Sequence, residues 1–308
     1  MPLAKRLFIT GLVCLVVLTG GVGATGCRRR EKPDAIWQPP DIRPLIYPRG
    51  IAYSPLAKEF FVVDRVARIQ RISATGHFVN EWQMPEQEHG RPVGISIGPD
   101  GNVYIPDTHY HRVIVYTPDG REIRRWGSFG TGRGQFIYLT DVAFDTKGRV
   151  FVSEYGDNDR VQVFTPDGQW LCQFGSFGQA DGQFSRPQSM VIDGDLLYIT
   201  DACNHRLVVF TVDGKWVRNM GSPGSDPGQF RFPYGLDQDV DRNLIVTEFG
   251  NSRVQKIDRE TGKAIWVWGR TGRDPGELAY PWAAVSDRAG HIVVVDSGNN
   301  RLQILSHR

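Results

Sequence analysis

Short β-rich runs such as Val103-Tyr104-Ile105, Val113-Ile114-Val115-Tyr116 and Val293-Val294-Val295 alternate with polar, glycine-bearing breaks, and no amphipathic segment of helix length interrupts them. The runs are punctuated by a recurring pair. An acid closes one run (Asp64, Asp107, Glu154, Asp201, Glu248, Asp296), and an arginine opens the next four to six residues later (Arg68, Arg112, Arg160, Arg206, Arg253, Arg301). Successive arginines lie 44, 48, 46, 47 and 48 residues apart. After the arginine strand come turns such as Pro118-Asp119-Gly120, Pro166-Asp167-Gly168 and Val212-Asp213-Gly214, then a strand ending on Trp82, Trp126, Phe174, Met220 or Trp268. Four antiparallel strands per repeat of about 45 residues predict an all-β, six-bladed β-propeller. The sixth repeat stops at Leu305 after three strands, while Ala35-Ile36-Trp37 has no repeat of its own. The N-terminal strand is therefore expected to complete the last blade and close the ring.

Ahead of the repeats, Lys5 and Arg6 precede an apolar run from Leu7 to Val22 that ends in small residues, the order of a secretory signal. Ala24-Thr25-Gly26-Cys27 resembles the lipobox of bacterial lipoproteins, with Ala24 in place of the usual Leu. The expected division is a lipoprotein-type signal over 1–26, a lipidated Cys27 with a charged tether over 27–34, and a propeller over 35–308. An uncleaved anchor is the alternative, because Arg28, Arg29 and Arg30 place positive charge beyond the apolar run. Acyl chains worth about 0.8 kcal/mol per methylene would hold the product on a membrane. The expected location is the bacterial cell envelope, periplasmic or on the outer surface.

Composition adds two constraints. Basic and acidic residues number 36 and 34, so no global field recruits nucleic acid, and any partner is chosen by local sites. Arg121, Arg124, Arg125 and Arg133 cluster in sequence, but alternate strand residues point to opposite sides, so Arg124 and Arg125 cannot share a face. No nucleic-acid partner is expected. Of the four cysteines, Cys14 leaves with a cleaved signal and Cys27 is acylated; Cys172 and Cys203 fall at different strand positions and are expected to be two free, partly buried thiols.

Phe232-Pro233-Tyr234-Gly235-Leu236 opens one repeat, and Asp296-Ser297-Gly298-Asn299-Asn300-Arg301-Leu302-Gln303-Ile304 closes another. On these motifs the chain resembles NHL-repeat proteins over residues 35 to 305. The resemblance implies a propeller but not one activity. Peptidylglycine amidating lyase, an NHL-type enzyme, places zinc-binding histidines directly after the proline that enters an inner strand. The matching positions here hold Arg49, Val93, Gln188, Tyr234 and Trp282, with Leu139-Thr140 where the third repeat lacks the proline, and none is histidine.

A residue present in every unit is most simply explained by what every unit needs, so the acid and arginine pairs and the repeated Gly-Gln-Phe ending at Phe136, Phe184 and Phe230 are assigned to structure. Function is sought where repeats differ, on the face carrying the loops between second and third strands and between blades. The candidate ligand-binding residues are His109, Tyr110, His111, Tyr155, His205, Phe249, Arg186, Arg231 and Trp282. Together they suggest a scaffold, expected to be a monomer, that binds an envelope protein, peptide or glycan, with no catalytic residue and no cofactor. The competing reading is a metal-dependent lyase- or lactonase-like enzyme with a site assembled across blades, using zinc or calcium held by the histidine or carboxylate loops, with His109, His111 and His205 as the named candidate ligands.

Overall fold

The computed structural model describes the backbone of residues 28–30 and the whole of residues 32–306; the expected signal over 1–26 and the expected lipidation site Cys27 lie outside the described residues. Six sheets of four antiparallel strands form the ring. In blade three, Tyr138–Phe144, Val150–Tyr155, Arg160–Phe164 and Trp170–Phe174 pair in sequence order from the channel outwards. The inner strands of the other blades are Gly50–Ser54, Ser96–Ile97, Pro187–Asp193, Pro233–Gln238 and Ala284–Ser286.

Blade six has three strands from the C-terminal end of the chain, and Ala35–Trp37 supplies the fourth. Ala35 pairs with Ile304, Ile36 with Gln303 and Trp37 with Leu302. Trp37 packs against the turn of the next blade, beside Gly76, as Trp82 does beside Gly120. Gly120 has φ +92°, and a Cβ there would lie 2.7 Å from the Trp82 ring, so the turn requires glycine both for its backbone and for the aromatic beneath it.

One expectation changes at the N-terminus. Arg28–Arg30, expected within a solvated tether, pairs in parallel with the outer strand of blade five, Arg28 opposite Trp266 and Arg30 opposite Trp268. Polarity argued against packing, but strand addition uses backbone groups, which every residue carries.

The core lies between the blades rather than within them, as sheet faces stacked on their neighbours. Phe136, Phe184 and Phe230 are fully buried there, with Phe136 at 5.9 Å from Phe164 and Phe184 at 5.4 Å from Phe210. Cys172 and Cys203 are both free; Cys172 is half-buried, and Cys203 is exposed rather than partly buried.

Candidate functional site

The recurring acid and arginine build the frame around the site. Arg160 donates through Nε to Glu154 at 2.7 Å, while its Nη atoms reach the carbonyls of Thr131, Gly132 and Gln135 at 2.9–3.0 Å. Arg206 does the same with Asp201 at 2.8 Å and the carbonyls of Gln179, Ala180 and Gln183. Arg253 with Glu248, Arg301 with Asp296 and Arg112 with Asp107 repeat the pairing at 2.5–3.0 Å. Arg160, Arg206, Arg253 and Arg301 thus each neutralise a buried carboxylate and clamp the carbonyls of the preceding inter-blade loop, which would otherwise lack donors, while Arg112 reaches its loop through the Glu86 side chain.

A second device is hidden by its changing residue type. The residue before the arginine is His111, Asp159, His205 or Asn300 in blades two, three, four and six, and each reaches across to the backbone entering the next inner strand. His111 Nδ1 donates to the Ile137 carbonyl at 2.5 Å, and His205 Nδ1 accepts the Phe232 amide at 3.1 Å. Asn300 accepts the Tyr47 amide at 2.8 Å, and Asp159 accepts that of Arg186. Sequence alone made these positions look uneven and therefore ligand-binding. In the structure His111 and His205 serve through Nδ1 as inter-blade staples, because several side chains can fill one hydrogen-bonding role.

The remaining candidates divide by place. Tyr110 sits on the rim, its hydroxyl accepting the His89 amide at 3.1 Å, with Arg112 against its ring. His109 is half-buried beside Tyr138, and burial together with the nearby Arg49 lowers its pKa. Arg231 is exposed. Tyr155, Arg186, Phe249 and Trp282 do converge, at the mouth of the central channel. Arg186 lies 4.9 Å from the Tyr155 ring and 5.2 Å from that of Tyr234. Phe249 stacks on Tyr234 at 4.9 Å and 29°, and Tyr234 lies 4.9 Å from Trp282. Trp282 is only 9% exposed, so it forms the wall of the mouth instead of an exposed anchor.

Sequence reasoning missed Arg49, which lies 5.1 Å from the Trp282 ring, and Tyr47, at 6.3 Å from Trp282. The missed signal was position. In the five blades that have the entering proline, the residue after it lines the channel, so Arg49, Gln188, Tyr234 and Trp282 meet there although no motif joins them.

Below the mouth is a cavity of about 200 Å³, lined by the inner strands of all six blades. Two carboxyl groups mark its depth. Asp141 accepts from Ser96 and Ser189 hydroxyls at 3.1 and 3.0 Å and from the Val142 and Met190 amides, tying blades two, three and four together. Asp237 accepts the Ser286 amide at 2.6 Å, joining blade five to blade six. Burial pushes each pKa up to about 6, the hydrogen bonds only partly opposing it. Among the described residues, no three His, Cys, Asp or Glu side chains come together as a metal would require, and His109, His111 and His205 form no such set.

The comparisons with known proteins agree with this frame. The NHL repeat model matches residues 184–210 and 278–305, each stretch running from the buried Phe184 or Leu278 of an inter-blade loop through an acid and its arginine. The chain carries NHL repeats. Solved structures similar to this NHL propeller include a streptogramin B lyase at 15% identity, covering 89% of this chain and 87% of that one with a TM-score of 0.60. A catalytically inactive virginiamycin B lyase from Staphylococcus aureus with quinupristin is 17% identical, covering 85% and 84% with a TM-score of 0.57. A protein of unknown function from Bacteroides thetaiotaomicron is 17% identical, covering 90% and 73% with a TM-score of 0.65. At these identities the likeness is one of fold. No curated protein matches the chain.

Proposed function

We propose that the NHL propeller is a membrane-tethered, extracytoplasmic binding protein that uses the channel-mouth face to hold a protein, peptide or glycan ligand of the bacterial envelope. The observation that carries the reading is the departure from sixfold symmetry at the mouth. The acid and arginine pairs recur in every blade, whereas Arg49, Tyr155, Arg186, Tyr234, Phe249 and Trp282 occur once each and converge. Aromatic rings with interspersed arginines are the composition of interface anchors.

The tether rests on the signal-like N-terminus and Cys27. Its geometry suits an outward-facing site: Ala35–Trp37 runs towards the loop face, so the chain enters blade six from the opposite side. A lipid at Cys27 would then leave the mouth free for ligand.

Arrays of peptides and glycans probed with the wild-type chain and with Phe249→Ala and Arg186→Ala variants test the reading. Binding that both substitutions weaken by about ten-fold or more is expected, as for central anchors. Ligands whose retention is indifferent to both would refute the face assignment. Separately, Cys27→Ser is expected to move the protein from the membrane fraction to the soluble fraction.

A further inference from the structure

The arginines of this face fall into two populations. Those that clamp inter-blade loops each hold a carboxylate. Around the mouth, Arg49, Arg65, Arg91, Arg186 and Arg231 sit on the loop face, and among the described residues none of them forms an ion pair with a carboxylate. The charges acting on Arg49 include two of the others, Arg65 and Arg91, so like charges gather there. The nearby Asp159 is turned away, taking the amides of Gly156 and Arg186. Asp141, deeper down, is saturated by four donors.

Hydrogen-bonding capacity is equally one-sided. Arg49 Nε and Trp282 Nε1 are buried donors without a partner, a condition that costs free energy until a ligand acceptor fills it. Arg186 spends only its Nε, on Gln188 at 3.2 Å. A mouth so rich in donors and positive charge matches a group that only accepts. Its walls are Trp282 and Tyr234, and both guanidiniums are laid against rings, which holds their planar forks in place at small entropic cost.

We propose that the mouth binds an organic carboxylate, gripped by Arg49 and Arg186, with the apolar body of the ligand against Trp282 and Tyr234. This rests on the reading of the mouth as the ligand face and names the chemistry it selects. A bare phosphate would meet the charge but leave the aromatic walls unused. The carboxylate could belong to a free aromatic acid or to the C-terminus of a peptide ending in an apolar residue.

Calorimetric titration of the full-length chain in detergent decides this. The probes are N-acetyl-L-phenylalanine for the peptide terminus, benzoate for the free acid, N-acetyl-L-phenylalaninamide as the neutral twin, and inorganic phosphate. At least one of the two acids is expected to bind, about ten-fold or more tighter than the amide, and to weaken as salt rises. Arg49→Gln and Arg186→Gln should each cost about ten-fold, while Arg133→Gln, whose guanidinium lies against Trp170, should cost nothing. Equal binding of acid and amide, binding of phosphate alone, no binding at all, or indifference to both mouth substitutions would overturn the proposal. If the acids fail while array ligands still depend on Phe249 and Arg186, only the carboxylate inference falls. Loss of both dependences removes the face assignment with it.

Discussion

Glu154 shows how one residue type can carry a fold. Its carboxylate receives the Ile137 amide at 2.7 Å and the side chains of Asn158, Arg160 and Gln162, all in a position with no solvent exposure. Arg160→Ala would leave that charge buried and unpaired and release three loop carbonyls, so a loss of about 3–5 kcal/mol is expected in urea unfolding. Arg43→Ala, which breaks the exposed pair with Glu81, is expected to change the same midpoint little. The channel acids act through pH. Asp141 and Asp237 titrate near 6 in the folded chain against 3.8 when unperturbed, so between those values the folded state holds protons that the unfolded state has lost. Their contribution is therefore full below about pH 4, falls as pH rises to about 6, and is level above it. For Asp141 the change is on the order of 1–3 kcal/mol, and Asp237, with some access to the cavity, changes in the same sense. Asp237→Asn should flatten the dependence of the urea midpoint on pH in that window; an unchanged slope would mean that Asp237 ionises freely. The acid and arginine pairs were legible in the sequence because they repeat. The staples were not: His111, Asp159, His205 and Asn300 share a task but no chemistry that a periodicity search can register.

At the scale of the strand, the sequence displayed nearly everything that depends on alternation and turn residues. Blade three, for example, runs from Tyr138–Phe144 to Trp170–Phe174 around the acid, arginine and Asp-Gly turn that marked it. Pairing that uses only backbone left no trace, which is why the parallel addition of Arg28–Arg30 to Ala264–Trp268 was not foreseen. The two N-terminal strands should therefore differ in importance. Trp37→Ala removes a buried ring from the interface of blades six and one and is expected to cost about 3–5 kcal/mol. Glycine substitutions at Arg28, Arg29 and Arg30 remove no buried ring from that seam and should shift the thermal midpoint far less. Comparable losses would give the added strand the same weight as the closing one. Gly120→Ala is expected to destabilise as well, by strained φ and by contact with Trp82, and by more than Gly194→Ala, where φ is +61° but nothing lies within 4 Å of an added Cβ.

For the whole molecule, repetition was the legible part and convergence the illegible part. Six similar units announce a ring, yet Arg49 and Trp282, more than 230 positions apart, acquire a common task only once the ring is shut. The mouth belongs to no repeat. Because Ala35–Trp37 must find Arg301–Ser306, the first strand of the propeller to be synthesised is among the last to be paired. Until Arg301–Ser306 has been made, Ala35–Trp37 has no partner, the ring that lays Arg49 against Trp282 cannot be shut, and two strand edges stay open. The seam is thus a proof of completeness: a chain that ends early can build blades, but it can neither close them into a circle nor assemble a mouth.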